Sequence, residues 1–150
     1  MVELASIRRR IGENMEDRYL FKAKFDDSDR WVKGQLVEVN DTYLIIPNHA
    51  SKILAGWFST SNVVEVKKDT ICQCTGLKDK NGKLIWENDI VKGKYYDIGK
   101  SHRHIGQVKY VCEAYKVVGV KQYTGYHAHL DGSYEVIGNK FDNPELLEVG

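Results

Sequence analysis

The sequence predicts a mainly β fold, a coiled sheet or small barrel built from short strands. Three observations predict it. From Tyr19 onward apolar and aromatic residues recur in short runs with period two, the spacing that sends alternate side chains to opposite faces of a strand. The runs are broken by Asn, Asp and Gly, which accept turn conformations. Helical periodicity is scarce, and about nine short strands would have to bury or close their edges.

The N-terminus is the exception. Leu4, Ile7, Ile11 and Met15 recur at spacings of three and four, which predicts a short amphipathic helix over Met1 to Asn14 with Arg8, Arg9 and Arg10 turned mostly outward. An alternative stays open, in which translation starts at Met15 and residues 1–14 form an extension that is not natively translated. Trp31 to Val39 and Thr42 to Ile46 read as two strands joined at Asn40-Asp41, residues that tolerate positive φ in a hairpin turn. Pro47 should end the second strand because it lacks a ladder donor. Asn48 to Gly56 reads as a loop or single helical turn, and Trp57 to Thr60 and Val63 to Val66 as short strands.

Asn81-Gly82 is a second hairpin signal, leading into a strand at Leu84 to Trp86. Extended pieces follow from Asp89 to Val91, Gln107 to Cys112, Tyr115 to Val120 and Tyr134 to Ile137, with the polar stretch Asp97 to Gly106 read as a loop. Asn143-Pro144-Glu145 supplies a capping residue, a first-turn proline and an acid, so a closing helical turn is expected.

Composition narrows the class. The 150 residues carry 22 Lys plus Arg against 21 Asp plus Glu, a formal net charge of +1 that argues against a globally basic nucleic-acid binder. Charged residues make up 29% and hydrophobic ones 42%, a balance suited to a folded core in water and not to disorder. No run approaches a membrane-spanning length and no secretory signal is recognised. Cys72, Cys74 and Cys112 form no disulfide framework, so the expectation is a cytoplasmic chain with free thiols.

Two segments, Gln73 to Val91 (QCTGLKDKNGKLIWENDIV) and Glu135 to Leu147 (EVIGNKFDNPELL), carry a resemblance. Together they resemble the YopX family of phage and prophage proteins. Tyr19 to Lys24 and Trp31 to Gly34 resemble the family's N-terminal portion more loosely. The resemblance implies a mainly β architecture over residues 15–150 as one domain, a mobile-element context and a start near Met15; it implies no catalytic residues. Cys74 stands where the family usually has an aromatic, and Asn88 where Gly is common, so position 88 should still need a residue tolerant of positive φ. Within the first segment the residues read as scaffold: Gly76 and Gly82 for turns, Asp79, Asn81 and Asp89 for bonds to turn backbone, and Leu84, Ile85, Ile90 and Val91 for core.

Chemistry-bearing patterns are few. His102-x-His104 and His127-x-His129 would each present two imidazoles on one strand face, and Cys72-x-Cys74 could add soft ligands. Their long separations match no closed zinc site, so His102 and His104 read as exposed loop residues and Cys72 and Cys74 as small core hydrophobes. Asp26, Asp27 and Asp29 read as a solvated turn and not as paired catalytic acids. No phosphate loop, dinucleotide fingerprint or nucleophile elbow occurs. The expectation is a protein that is not an enzyme, with no cofactor and no bound metal.

Charge is segregated along the chain. Lys92, Lys94, Lys100, Arg103, Lys109, Lys116 and Lys121 face only Asp97 and Glu113 within that stretch, while the remainder to Gly150 has Lys140 against five acids. Three explanations compete. The lysines could be outward edge protection with half the tyrosines in the core. The acidic tail could fold on the basic strands of its own or a neighbouring subunit, leaving the tyrosines as a protein interface. Or Lys94, Tyr95, Tyr96, Arg103, Lys109, Tyr110, Lys116 and Lys121 could form one surface that tracks phosphates and stacks bases of a single-stranded nucleic acid. Overall neutrality favours a protein-binding or self-assembling module, a homo-oligomer among the options, with nucleic acid as the alternative.

Overall fold

The computed structural model describes residues 17–47 and 63–148, which divide between Cys74 and Thr75 into two compact units. The expected N-terminal helix, the 48–56 loop and the Trp57 to Thr60 strand lie outside the described residues. What is described is mainly β, as expected.

In the first unit β1 (Phe21–Lys24), β2 (Trp31–Val39), β3 (Thr42–Pro47) and β4 (Val64–Glu65) pair antiparallel in the spatial order β4-β3-β2-β1. The β2–β3 turn falls at Asn40 and Asp41, with φ of 48° and 61°, the two left-handed residues that match the twist of the flanking strands. Pro47 still pairs with Gly34, one residue beyond the expected strand end. Gly34 is obligatory there, since a Cβ would lie 2.9 Å from the Pro47 Cα and closer still to the Ile46 carbonyl. Alternation puts Ala23, Val32, Ile45 and Val66 in a core flanked by Phe21, Leu36 and Tyr43. Asp29, expected to solvate its turn, also reaches Lys67 at 3.5 Å and Lys24 at 3.8 Å.

β5 (Cys72–Lys78) pairs with β1 through Cys72 and Gln73 and continues into the second unit, next to β6 (Leu84–Trp86) in the ladder. Gly76 adopts a φ of 78° inside β5, so it serves a kink within a strand and not the expected turn. The turn itself is at 79–83, where Gly82 takes a φ of 81°. Asp79 organises it: one carboxylate oxygen accepts the amides of Asn81 (2.8 Å) and Lys83 (2.9 Å), the other that of Val136 (3.0 Å). Burial pushes the Asp79 carboxyl up, but these three amides outweigh it and the net shift is downward. Asp89 accepts the Trp86 amide at 2.9 Å, and Asn88 has a φ of 69°, as its position required.

The second unit is dominated by a five-stranded antiparallel sheet, order β10-β9-β8-β7-β11. Its strands are β7 (Asp89–Asp97), β8 (Lys100–Val111), β9 (Ala114–Gly119), β10 (His127–His129) and β11 (Glu135–Asn139). Both sheets are open, so the small-barrel alternative is not adopted. The edges β10 and β11 are short, and β11 carries a register shift between Val136 and Gly138, which limits edge pairing without closure. Val91, Val108, Val117, Ile85, Leu130 and Tyr134 form the core on one sheet face.

The stretch Asp97 to Gly106 is not a loop. β7 and β8 form one long hairpin whose turn is Ile98-Gly99, with φ of 44° and 72°, and the β8–β9 turn is Cys112-Glu113 at 50° and 65°. The chain closes in a 3₁₀ turn, Pro144–Leu146, with proline at its start. Asn143 does not cap it; its Oδ1 instead accepts the Asn139 amide at 3.2 Å and pins the end of β11. Among the described residues no helix is long and apolar enough to cross a membrane.

Candidate functional site

Strand alternation gives the second unit's sheet a core face and a face that is cationic at both ends, with the buried pair Ile90 and Gln107 between them. Val91, Gly93 and Tyr95 of β7 turn toward the core, so Lys92, Lys94 and Tyr96 turn away. Cross-strand partners share a face. Lys94 stands opposite Arg103, Tyr96 opposite Ser101, Lys109 opposite Lys116, and Lys92 opposite Glu135. One face therefore projects five cations and a single carboxylate from β7, β8, β9 and β11.

Two of those pairs, Lys94/Arg103 and Lys109/Lys116, put like charges directly opposite each other, an arrangement that destabilises a sheet. No carboxylate among the described residues lies within ion-pairing distance of these four side chains. Arg103 and Lys109 are six residues apart on β8, roughly 20 Å at strand rise. Around the first pair lies a cleft of about 420 Å³ lined by Lys80, Lys92, Lys94, Arg103 and Tyr96. Ser101 and Ser133 add hydroxyls to its wall.

Glu135 is the counter-charge at one end. Its carboxylate lies 3.0 Å from the Lys80 ammonium and 4.0 Å from that of Lys92. The Lys80 hydrogen bond is the chief reason its carboxyl is held below the ordinary value. The rest of the acidic tail looks elsewhere: Asp131 accepts from Ser133, and Asp142 from Asn139. Glu135 realises the expected fold-back of the acidic tail onto the basic strands.

The opposite face holds an aromatic cluster in which His104 and Tyr134 are buried and Tyr126 and His102 are exposed. Tyr95 stacks on Tyr126 (5.0 Å between centroids) and on His102 (5.1 Å), and meets His104 edge-on at 5.4 Å. His104 Nε2 is 3.2 Å from the Tyr126 carbonyl and Nδ1 is 3.0 Å from Tyr134 Oη. A carbonyl can only accept, so the network assigns the proton to Nε2 and makes Nδ1 the acceptor of the Tyr134 hydroxyl. Burial lowers the His104 pKa and, with Asp131, pushes the Tyr134 hydroxyl up to about 12, so both groups stay neutral in this bond. His104 is fully buried, contrary to the expected exposed loop histidine, because β8 continues through it and Gly93 opposite leaves room for the Tyr134 ring.

Of the residues expected to share one surface, Lys94, Tyr96 and Arg103 meet in the cleft, and Lys109 and Lys116 lie farther along the same face. Tyr95 and Tyr110 are on the other face, Tyr110 packing edge-to-face on Tyr115 at 5.1 Å. Lys121 begins the 3₁₀ turn Lys121–Tyr123, outside the sheet. Sequence reasoning missed Lys80, Lys92, Ser101, Ser133 and Glu135; for Lys92 the two-residue spacing to Lys94 and Tyr96 was the available signal. His127 and His129 are both exposed on β10, Cys72 and Cys74 are buried, and Cys112 is exposed in its turn. Among the described residues no three His, Cys, Asp or Glu side chains are grouped to hold a metal ion.

No curated protein matches the chain. Among solved structures, the crystal structure of protein EF1440 from Enterococcus faecalis is similar at 24% identity, with a TM-score of 0.47, over 85% of this chain and 96% of that one. A family model described as YopX protein matches residues 20–148. The segments quoted for the resemblance both fall inside that match, and the chain belongs to the YopX family.

Proposed function

We propose that this YopX-family chain is a non-enzymatic binding module whose second unit takes an extended polyanion, a single-stranded nucleic acid, on its cationic sheet face. The carrying observation is the pair of like-charge cross-strand contacts, Lys94/Arg103 and Lys109/Lys116, left without carboxylates on one face. Such pairs cost stability in the free chain, and a phosphate backbone offsets that cost by neutralising them. Among the described residues, ion pairs on this face neutralise Lys80 and Lys92, through Glu135. That moves the balance from the protein-interaction reading toward nucleic acid. Tyr96, 76% exposed on the same face, offers a ring for base stacking. A cytoplasmic, prophage-encoded setting belongs to the same proposal, and cysteines that form no disulfide among the described residues support it.

The test is fluorescence anisotropy of labelled oligo(dT), single-stranded RNA and duplex DNA from low to physiological salt. Saturable binding of the single strands with a log–log salt slope of about −3 is expected, since each of four neutralised phosphates contributes roughly −0.7. No binding at low salt, or binding without a salt slope, overturns the proposal and turns the search to acidic protein partners.

A further inference from the structure

We infer that the cleft beside β7 seats one phosphate-type oxyanion, and that Glu135 holds this place in the free chain as an internal counter-ion which the ligand displaces. The inference rests on the reading of the face as polyanion-binding and names where the first phosphate is held.

Lys80 and Glu135 are neighbours by construction. Asp79 ties its turn to β11 through the Val136 amide (3.0 Å), and the Lys80 amide donates to the Tyr134 carbonyl (2.9 Å). This clamps the base of the Lys80 side chain beside residue 135, where its ammonium meets the carboxylate at 3.0 Å. One end of the cleft is thus already satisfied by a carboxylate.

The other end is not. Lys94 and Arg103 sit side by side with no acid in reach among the described residues, Ser101 adds a hydroxyl, and Tyr96 stands two residues from Lys94 on the same face. Arg103 offers a planar fork of donors and Lys94 a point charge, the pair that recognises tetrahedral oxyanions. The Ser133 hydroxyl at the rim is bonded to Asp131. A volume of about 420 Å³ is in the range that accommodates a mononucleotide. A phosphate carries more charge and more acceptor oxygens than a carboxylate, so it can take Lys80 and Lys92 from Glu135 while also engaging Lys94 and Arg103.

Calorimetric titration with inorganic phosphate and with thymidine 5′-monophosphate tests this on the wild-type chain, Glu135→Gln and Arg103→Gln, with melting curves to confirm that each variant folds. Removing the internal competitor should tighten binding of both probes about fivefold, the size expected for two partly exposed ion pairs. Arg103→Gln should weaken binding more than about tenfold. Amide chemical shifts of 92–103 and 133–135 should move on titration. Unchanged or weaker phosphate binding in Glu135→Gln, or shifts confined to other strands, overturns the inference. Oligonucleotide binding that persists alongside that result leaves the polyanion reading standing. Phosphate binding that tightens in Glu135→Gln while oligonucleotides fail to bind supports the cleft and overturns the polyanion reading.

Discussion

Replacing Lys116 by Glu should make the protein more stable and a poorer binder at once. Lys116 is directly opposite Lys109 in the β8–β9 ladder, and it is half-buried, so the charges are not fully screened by water. The substitution converts a repulsive cross-strand pair into an attractive one. Favourable cross-strand charge pairs contribute about 0.2 to 1 kcal/mol and repulsive ones cost a similar amount, so the change should stabilise the sheet by roughly 0.4 to 2 kcal/mol. At this chain length that raises the melting midpoint by about 1 to 8 °C. Binding should move the other way. One cation is removed and its neighbour Lys109 becomes paired, so two phosphate contacts are lost and the salt slope for oligo(dT) flattens by about 1.4. Urea and thermal denaturation read the first effect, and salt-dependent anisotropy the second. A lower melting midpoint would refute the reasoning on the pair, and an unchanged salt slope would refute the role of this end of the face.

Three further outcomes follow from the buried networks. Tyr134→Phe leaves His104 Nδ1 without its donor in a fully buried site, which should cost about 1 to 3 kcal/mol by urea denaturation. The His104 pKa is lowered on folding from 6.5, so below that value the unfolded chain binds more protons than the folded one. Stability is therefore present in full above about pH 6.5 and is lost as pH falls toward the folded value; His104→Gln should flatten that part of the curve, and an unaltered pH profile would count against the assignment. Asp79→Ala strips the acceptor from three backbone amides, and should destabilise by more than about 2 kcal/mol; amide exchange at Asn81, Lys83 and Val136 should accelerate together.

What could be read from residues was local. Asn40-Asp41 and Asn88 declared left-handed backbone, and the structure places all three at positive φ. Ile98 did not, because a β-branched residue there opposes the usual preference, and the long β7–β8 hairpin was lost with its turn. His104 is flanked by Arg103 and Ile105 without an apolar run, so nothing in its neighbourhood foretold burial under Tyr134. The place of Asn143 before Pro144 predicts a helix cap, whereas its side chain serves the end of β11.

By itself the sequence determined the β class, the positions of several turns and the segregation of basic from acidic residues, because φ preferences, period-two alternation and charge are properties of neighbouring residues. Tertiary structure alone decided which alternate residues face solvent, that Tyr95 and Tyr110 leave the lysines' face, and that Lys80 and Glu135 meet beside Lys92. Those outcomes depend on strand register and on the Asp79 bridge to Val136, and register is set by pairing between distant segments whose contacts no local window contains.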